Sequence, residues 1–225
     1  MSSLRRAVLL ACGLGLAAPA QVIAQSDAGD AAFQRGVTLQ EAGRFGEAVK
    51  AYDEAIRQGA DNSVAYNNRG AAYGALKEYD RAMPDFDRAI ELNSGYAEAY
   101  CNRGAVLGAL GQYPRAIRDL NRAIGLDPSY PRAYNNLAWL LATADDAVVR
   151  DGRRAIELAL KACKLSDCKE PSLLDTMAAA YARTGDFARA VDWQSKAMAD
   201  PQHAKDFDTQ MRLKLYLEGK PYPPN

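Results

Sequence analysis

Asn67-Asn68, Cys101-Asn102 and Asn135-Asn136 recur at a step of 34 residues, so amide side chains stand three times at equivalent places along the chain. An amide can donate to a carbonyl and accept from an N–H at the same time, which suits hydrogen bonding and not nucleophilic attack. Side chains for covalent or acid–base work are sparse. The single histidine, His203, lies near the end of the chain, and no G-x-S-x-G, H-E-x-x-H or phosphate-cradling glycine loop occurs. Acidic neighbours such as Asp53-Glu54 and Asp145-Asp146 are adjacent in sequence, and adjacent helical residues do not converge on one point. Cys163 and Cys168 are close enough for a short loop to join them as a disulfide, the alternative being two free thiols; Cys101 is then the odd one. A metal site from Cys163, Cys168 and His203 lacks the second close-spaced ligand pair that such sites use. No catalytic residue, metal or cofactor is expected.

The elements that carry these residues share the same period. Gly36, Gly70 and Gly104 are 34 residues apart, as are Ala48, Ala82 and Ala116, and again Ala55, Ala89 and Ala123. A fixed period of this length means one supersecondary unit copied in tandem, with stacked copies burying a continuous core. Within the copies, Tyr66 and Tyr100 precede the glycine by four residues, Tyr73 and Leu107 follow it by three, and a turn leads to Tyr79 or Tyr113. Ala82 or Ala116, Phe86 or Leu120 and Ala89 or Ala123 complete the pattern. Small residues let two antiparallel helices approach, and the larger apolar ones form a buried stripe at helical spacing. Pro114 and Pro131 fall at helix starts, where a missing N–H costs little. Pro84 falls about one turn inside its helix and predicts a local irregularity.

This pattern resembles the tetratricopeptide repeat, a helix–turn–helix unit. The resemblance implies an all-α, right-handed superhelical solenoid in which the first helix of each unit lines an inner groove. In family members that bind extended peptides, asparagines at this place form a ladder on the ligand backbone. Asn68, Asn102 and Asn136 match that ladder, with Gln34 and Thr176 at its ends and Asn67 and Asn135 beside it. The other reading is that these amides satisfy helix contacts or water. Arg69 and Arg103 each stand 16 residues before an aspartate, Asp85 or Asp119, which predicts an ion pair inside the unit. The lysines that complete the family's basic carboxylate clamp are missing at matching positions. Ala71, Gly74, Ala75, Ala105, Gly108 and Ala109 predict a shallow-walled, open groove. Trp139 stands where Ala71 and Ala105 do, either as a binding anchor or packed under a neighbouring loop.

Five units are expected, at 29–62, 63–96, 97–130, 131–170 and 171–202. The fourth carries extra residues within Thr143–Gly152, which lengthen the loop between its helices. A capping helix at 203–219 is expected to bury Phe207, Met211 and Leu215, and a tail covers 220–225. The C-terminal half also looks like a module that closes many bacterial tetratricopeptide-repeat proteins.

Ahead of the units, Arg5-Arg6 precede an apolar run, Ala7 to Ala18, and small residues before polar Gln25. This reads as a secretory signal peptide over 1–24, cleaved after Ala24 or Ala20, with a short linker at 25–28. The apolar run continues past Cys12, which argues against a lipoprotein anchor there. It is too short for a membrane span. Loss of Arg5 and Arg6 leaves 26 basic against 28 acidic residues, a balance without the basic footprint of a nucleic-acid binder. The expectation is a periplasmic or secreted, non-enzymatic scaffold of the bacterial cell envelope that holds an extended peptide segment of a protein partner. The alternative is a structural subunit docking through its convex face and capping helix.

Overall fold

Glycine and large apolar residues interlock between the two helices of each of the first three units. A Cβ on Gly36 would meet the Tyr52 ring at 2.5 Å, one on Gly70 would meet Phe86 at 2.9 Å, and one on Gly104 would meet Leu120 at 2.9 Å. Tyr52, Phe86 and Leu120 are sealed from solvent. In the fourth and fifth units the glycine is Ala138 or Ala178, and the residue 21 or 16 positions on is Ala159 or Gln194. In the fourth unit Ala138 and Ala159 share one buried cluster, the larger residue on one helix being met by a smaller one on the other.

The computed structural model describes residues 17–223, with side chains from residue 28. These residues form eleven α-helices and one 3-10 turn, with no strand among them. The helices are α1 (Ala17–Glu41), α2 (Phe45–Arg57), α3 (Ser63–Ala75), α4 (Tyr79–Leu92), α5 (Ala97–Ala109), α6 (Tyr113–Leu126), α7 (Pro131–Thr143), α8 (Gly152–Ser166), α9 (Pro171–Arg183), α10 (Phe187–Ala197) and α11 (Phe207–Leu217). They pack as consecutive antiparallel pairs, α1 with α2 through α9 with α10, and α11 covers α10. The expected signal peptide lies outside the described residues over 1–16. The segment 17–28, including the expected linker, runs as the first turns of α1.

Caps and turns explain where these helices begin and end. Asn62 accepts from the N–H groups of Val64 and Ala65, each at 3.0 Å, and starts α3. Asp151, Asp186 and Asp206 do the same for α8, α10 and α11. Pro114, Pro131 and Pro171 occupy the first turns of α6, α7 and α9. Between the helices of a unit the chain turns through a left-handed residue: Gly43 (φ 71°), Lys77 (φ 61°), Gly111 (φ 70°) and Gly185 (φ 85°). The fourth unit has the longer loop at 144–151 in place of this turn. Pro84, where a local irregularity was expected, lies inside a continuous α4. It is exposed, and the carbonyl it leaves without a partner belongs to Asp80 in the first turn.

The end of the chain differs from the sequence reading. Residues 203–205 form a 3-10 turn separate from α11, and Phe207 is 74% exposed. The buried residues of α11 are Thr209, Arg212 and Tyr216. Two polar contacts rotate the helix this way: Asp206 accepts from the Thr209 N–H and hydroxyl, each at 2.8 Å, and Arg212 pairs with buried Asp175 on α9.

Candidate binding groove

Successive first helices touch one another, α3 with α5, α5 with α7 and α7 with α9, whereas successive second helices are held further apart. The layer of first helices is therefore the shorter, inner arc of the stack. Three hollows lie along it. One of about 290 Å³ sits between α3 and α5 and is lined by Ala71, Gly74, Ala75, Ala105 and Ala109, with Asn102 and Arg132 at its edge. One of about 620 Å³ lies between α5 and α7, lined by Gly104, Gly108, Asn136, Trp139, Tyr222 and Pro223 among others. A third, about 580 Å³, lies at the helix starts of α7 and α9 and includes Glu98, Arg132, Asn135, Asn136 and Glu170. The small side chains read from the sequence as an open wall do line the first two.

The amides divide into two sets. Asn67 is sealed, a correction to its expected place beside the ligand: its N–H2 donates to Asn68 Oδ1 and the Tyr96 hydroxyl, each at 3.3 Å. Asn102 is also buried, and its Nδ2 donates to Asn67 Oδ1 at 2.9 Å, across the junction between units. Asn136 repeats this reach one unit on, donating to Cys101 Sγ at 3.3 Å. The position before the ladder thus faces the next unit, and the ladder amide reaches back to it. Asn102 remains at the edge of one hollow, and Asn136 borders two. Asn135 borders the third hollow, and its buried Oδ1 has no hydrogen-bond partner. Asn68 is half-buried, and Thr176 is buried with its hydroxyl donating to the Ser172 carbonyl, so the ladder position of the fifth unit does not face outward.

The arginines are structural. Arg69 makes two parallel bonds to Asp85, at 2.8 and 2.6 Å, and a third to Asp53 on the preceding unit at 2.7 Å. Arg103 does the same with Asp119, at 2.7 and 2.9 Å, and with Asp87 at 2.7 Å. Bidentate pairing to Asp85 and Asp119 raises both guanidinium pKa values against the opposing effect of burial. The 16-residue spacing downstream pointed to the first partner; Asp53 and Asp87 stand the same 16 residues upstream, a spacing the sequence reading did not use. Burial pushes the Cys101 thiol up to about 11, against smaller downward pulls from Arg132 and Asn136.

Cys163 and Cys168 are joined as a disulfide with a Cα–Cα distance of 4.2 Å. Left-handed conformations at Asp167 and Cys168 (φ 58° and 55°) turn the chain back over the end of α8. Among the described residues no group of three His, Cys, Asp or Glu side chains could hold a metal ion. No described helix is long and apolar enough to cross a membrane.

Trp139 has partners that neither sequence alternative named. Its ring lies tilted against that of Tyr222, centroids 6.5 Å apart, and the Arg212 guanidinium is 5.3 Å from its centroid. Arg183 ties this corner together, donating to the Ala142 carbonyl at 2.7 Å and to the carbonyls of Tyr222 and Pro223 at 2.8 and 3.0 Å. Arg183, Arg212 and Tyr222 were missed by sequence reasoning because none belongs to the 34-residue pattern.

Residues 63–96 and 97–130 match the family model of the tetratricopeptide repeat. The chain is similar in structure to a thermophilic TPR protein of Thermus thermophilus, at 19% identity and a TM-score of 0.70, covering 85% of this chain and 100% of that one. It is similar to pilF of Pseudomonas aeruginosa at 19% identity and a TM-score of 0.63, covering 86% and 90%. The Arabidopsis OM64 TPR domain is 27% identical with a TM-score of 0.50, covering 52% of this chain and 96% of that domain. No curated protein matches the chain in sequence.

Proposed function

We propose that this chain, whose residues 63–96 and 97–130 match the tetratricopeptide-repeat model, is a non-enzymatic scaffold of the cell envelope, holding an extended segment of a partner protein along its first helices. A repeat fold of this kind supports protein–protein interaction. The observation that carries the finer reading is the row of three adjoining hollows on the inner arc, walled by small residues and bordered by Asn102, Asn135 and Asn136. Asn136 is the amide we assign to the partner's backbone, since it borders two hollows and its Nδ2 is held within the chain by a weakly accepting thiol. Asn102 acts chiefly as a strut between units.

Export is part of the proposal. Arg5-Arg6, the apolar run to Ala18 and the small residues before Gln25 support removal of 1–24, and the Cys163–Cys168 disulfide suits an oxidising compartment. Intact mass of protein taken from an envelope fraction tests it; an uncleaved N-terminus there overturns it.

The groove is tested by affinity capture from envelope extract. Ala105 is exposed on the groove wall, so Ala105→Trp fills the hollow without disturbing the core. Partners captured by the wild type are expected to be lost with Ala105→Trp and weakened with Asn136→Ala. The second reading, docking of the capping helix, is favoured by exposed Phe207 (74%) and Leu217 (68%) on α11. Capture that survives Ala105→Trp and fails with Phe207→Ser selects that reading instead.

A further inference from the structure

The segment after α11 returns to the inner arc and is held there by three different kinds of contact. Tyr222 lies against Trp139; Arg212 stands 5.5 Å from the Tyr222 ring centroid while also facing Trp139; and Arg183 donates to two successive carbonyls, those of Tyr222 and Pro223. Arg212 is 6% exposed, with its charge balanced by Asp175 through bonds of 3.0 and 2.8 Å, so it is a fixed part of the wall. Tyr222 and Pro223 in turn border the 620 Å³ hollow between α5 and α7.

We infer that Trp139, Arg183 and Arg212 form a subsite for a proline-rich segment bearing one aromatic ring, and that the chain's own Tyr222-Pro223 is its resident occupant. The chemistry selects such a ligand. An arginine offers donors only, and a proline offers a carbonyl and no N–H, so at Pro223 Arg183 meets a residue whose one backbone hydrogen-bonding group is the acceptor it needs. In the sequence Lys220-Pro221-Tyr222-Pro223 a proline on each side of Tyr222 has its φ fixed by its ring, which lowers the ordering cost of docking. The slot between Trp139 and Arg212 then reads the ring, since a guanidinium over an aromatic face is attractive. Because the docked segment borders the central hollow, it competes with a partner that enters there. That competition rests on the groove reading above; docking of the segment does not.

A fluorescein-labelled peptide of residues 217–225 tests both parts by anisotropy against the full chain. In the wild type the tethered copy fills the subsite, and free peptide binds in proportion to the undocked fraction. For a segment docked about nine-tenths of the time, Tyr222→Ala is expected to bind the peptide about tenfold more tightly than the wild type does. Tyr222→Phe, which keeps the ring, is expected to behave as the wild type. Trp139→Ala added to Tyr222→Ala is expected to lose the peptide, as is a peptide with alanine in place of its tyrosine. Far-UV circular dichroism checks that each variant is folded. Equal binding by wild type and Tyr222→Ala overturns the subsite. Ala105→Trp in the Tyr222→Ala background separates the two ideas: peptide binding that persists while partner capture fails supports both. Tighter peptide binding with no gain in partner capture by Tyr222→Ala keeps the subsite and overturns the competition.

Discussion

Asn102 on α5 donates through Nδ2 to Oδ1 of Asn67 on α3 across 2.9 Å, and both side chains are buried at the junction of two units. Removing this donor leaves a sealed carbonyl without it, which costs about 1–3 kcal/mol. Asn102→Ala is therefore expected to lower unfolding free energy by that amount in urea denaturation. Asn136→Ala removes only a bond to a thiol and is expected to cost less than about 1 kcal/mol. Equal losses at the two positions would refute the division of labour. A binding experiment should accordingly use Asn136→Ala.

Gly104 and Leu120 test the interlock within a unit. Gly104→Ala puts a Cβ 2.9 Å from Leu120 Cγ and 3.3 Å from the Ala116 carbonyl, and is expected to cost about 1–3 kcal/mol. Leu120→Ala alone costs about 2–5 kcal/mol. The double change reproduces the Ala138 and Ala159 pairing of the fourth unit, so the two losses should add to less than their sum. Strict additivity in a double-mutant cycle would mean that the helices shift apart instead.

The two aspartates on Arg103 should differ in worth. Asp119 is mostly buried and bidentate, whereas the Asp87 side chain is 51% exposed. Asp119→Asn is expected to destabilise by about 1.5–3 kcal/mol and Asp87→Asn by less than about 1 kcal/mol. Thermal unfolding of both variants, at low and at about 1 M salt, checks the ranking; only the Asp87 contribution should be largely screened by salt.

Lys77 adopts the left-handed conformation that glycine supplies at Gly43 and Gly111. That conformation costs an L-residue roughly 1–2 kcal/mol, against roughly 0.5–1 kcal/mol for the extra freedom of an unfolded glycine. Lys77→Gly is therefore expected to stabilise by about 0.5–1 kcal/mol. A lower melting temperature for this variant would show that the turn has another source of strain or support.

Cys101 makes stability fall at high pH. Its thiol is pushed from 9.0 to about 11 by burial, so the folded state holds the proton more tightly than the unfolded chain does. The contribution is complete below about pH 9 and is lost as pH rises toward about 11, a change of about 3 kcal/mol for a shift of this size. Cys101→Ala should flatten that part of the profile of unfolding free energy against pH. An unchanged slope between about pH 9 and 11 would rule the thiol out as its source.

Much of the fold was legible because it is local and repeated. Gly70 with Phe86, and Arg69 with Asp85, meet at a spacing of 16 residues inside one helix pair, and the same spacing recurs a unit later. The site was legible only in part. The periodic small residues marked the groove wall, but the same periodicity could not separate an amide facing a ligand from one facing the next helix. Asn67 and Asn102 are decided by the rotation of each helix about its own axis, and only packing between units sets that angle.

The helix pairs follow from the amino acids alone, because a unit with one apolar face can bury it only against copies of itself placed one period away. The turns follow too, because Gly43, Gly111 and Gly185 supply positive φ without strain. Which face α11 buries, and where Tyr222 goes, were settled only when the stack came together. Arg212 pairs with Asp175, and Tyr222 comes to lie against Trp139, through single contacts between distant parts of the chain. Such contacts are not repeated, so no period announces them; they exist because a buried guanidinium must find its carboxylate and an aromatic ring its partner once the units have packed.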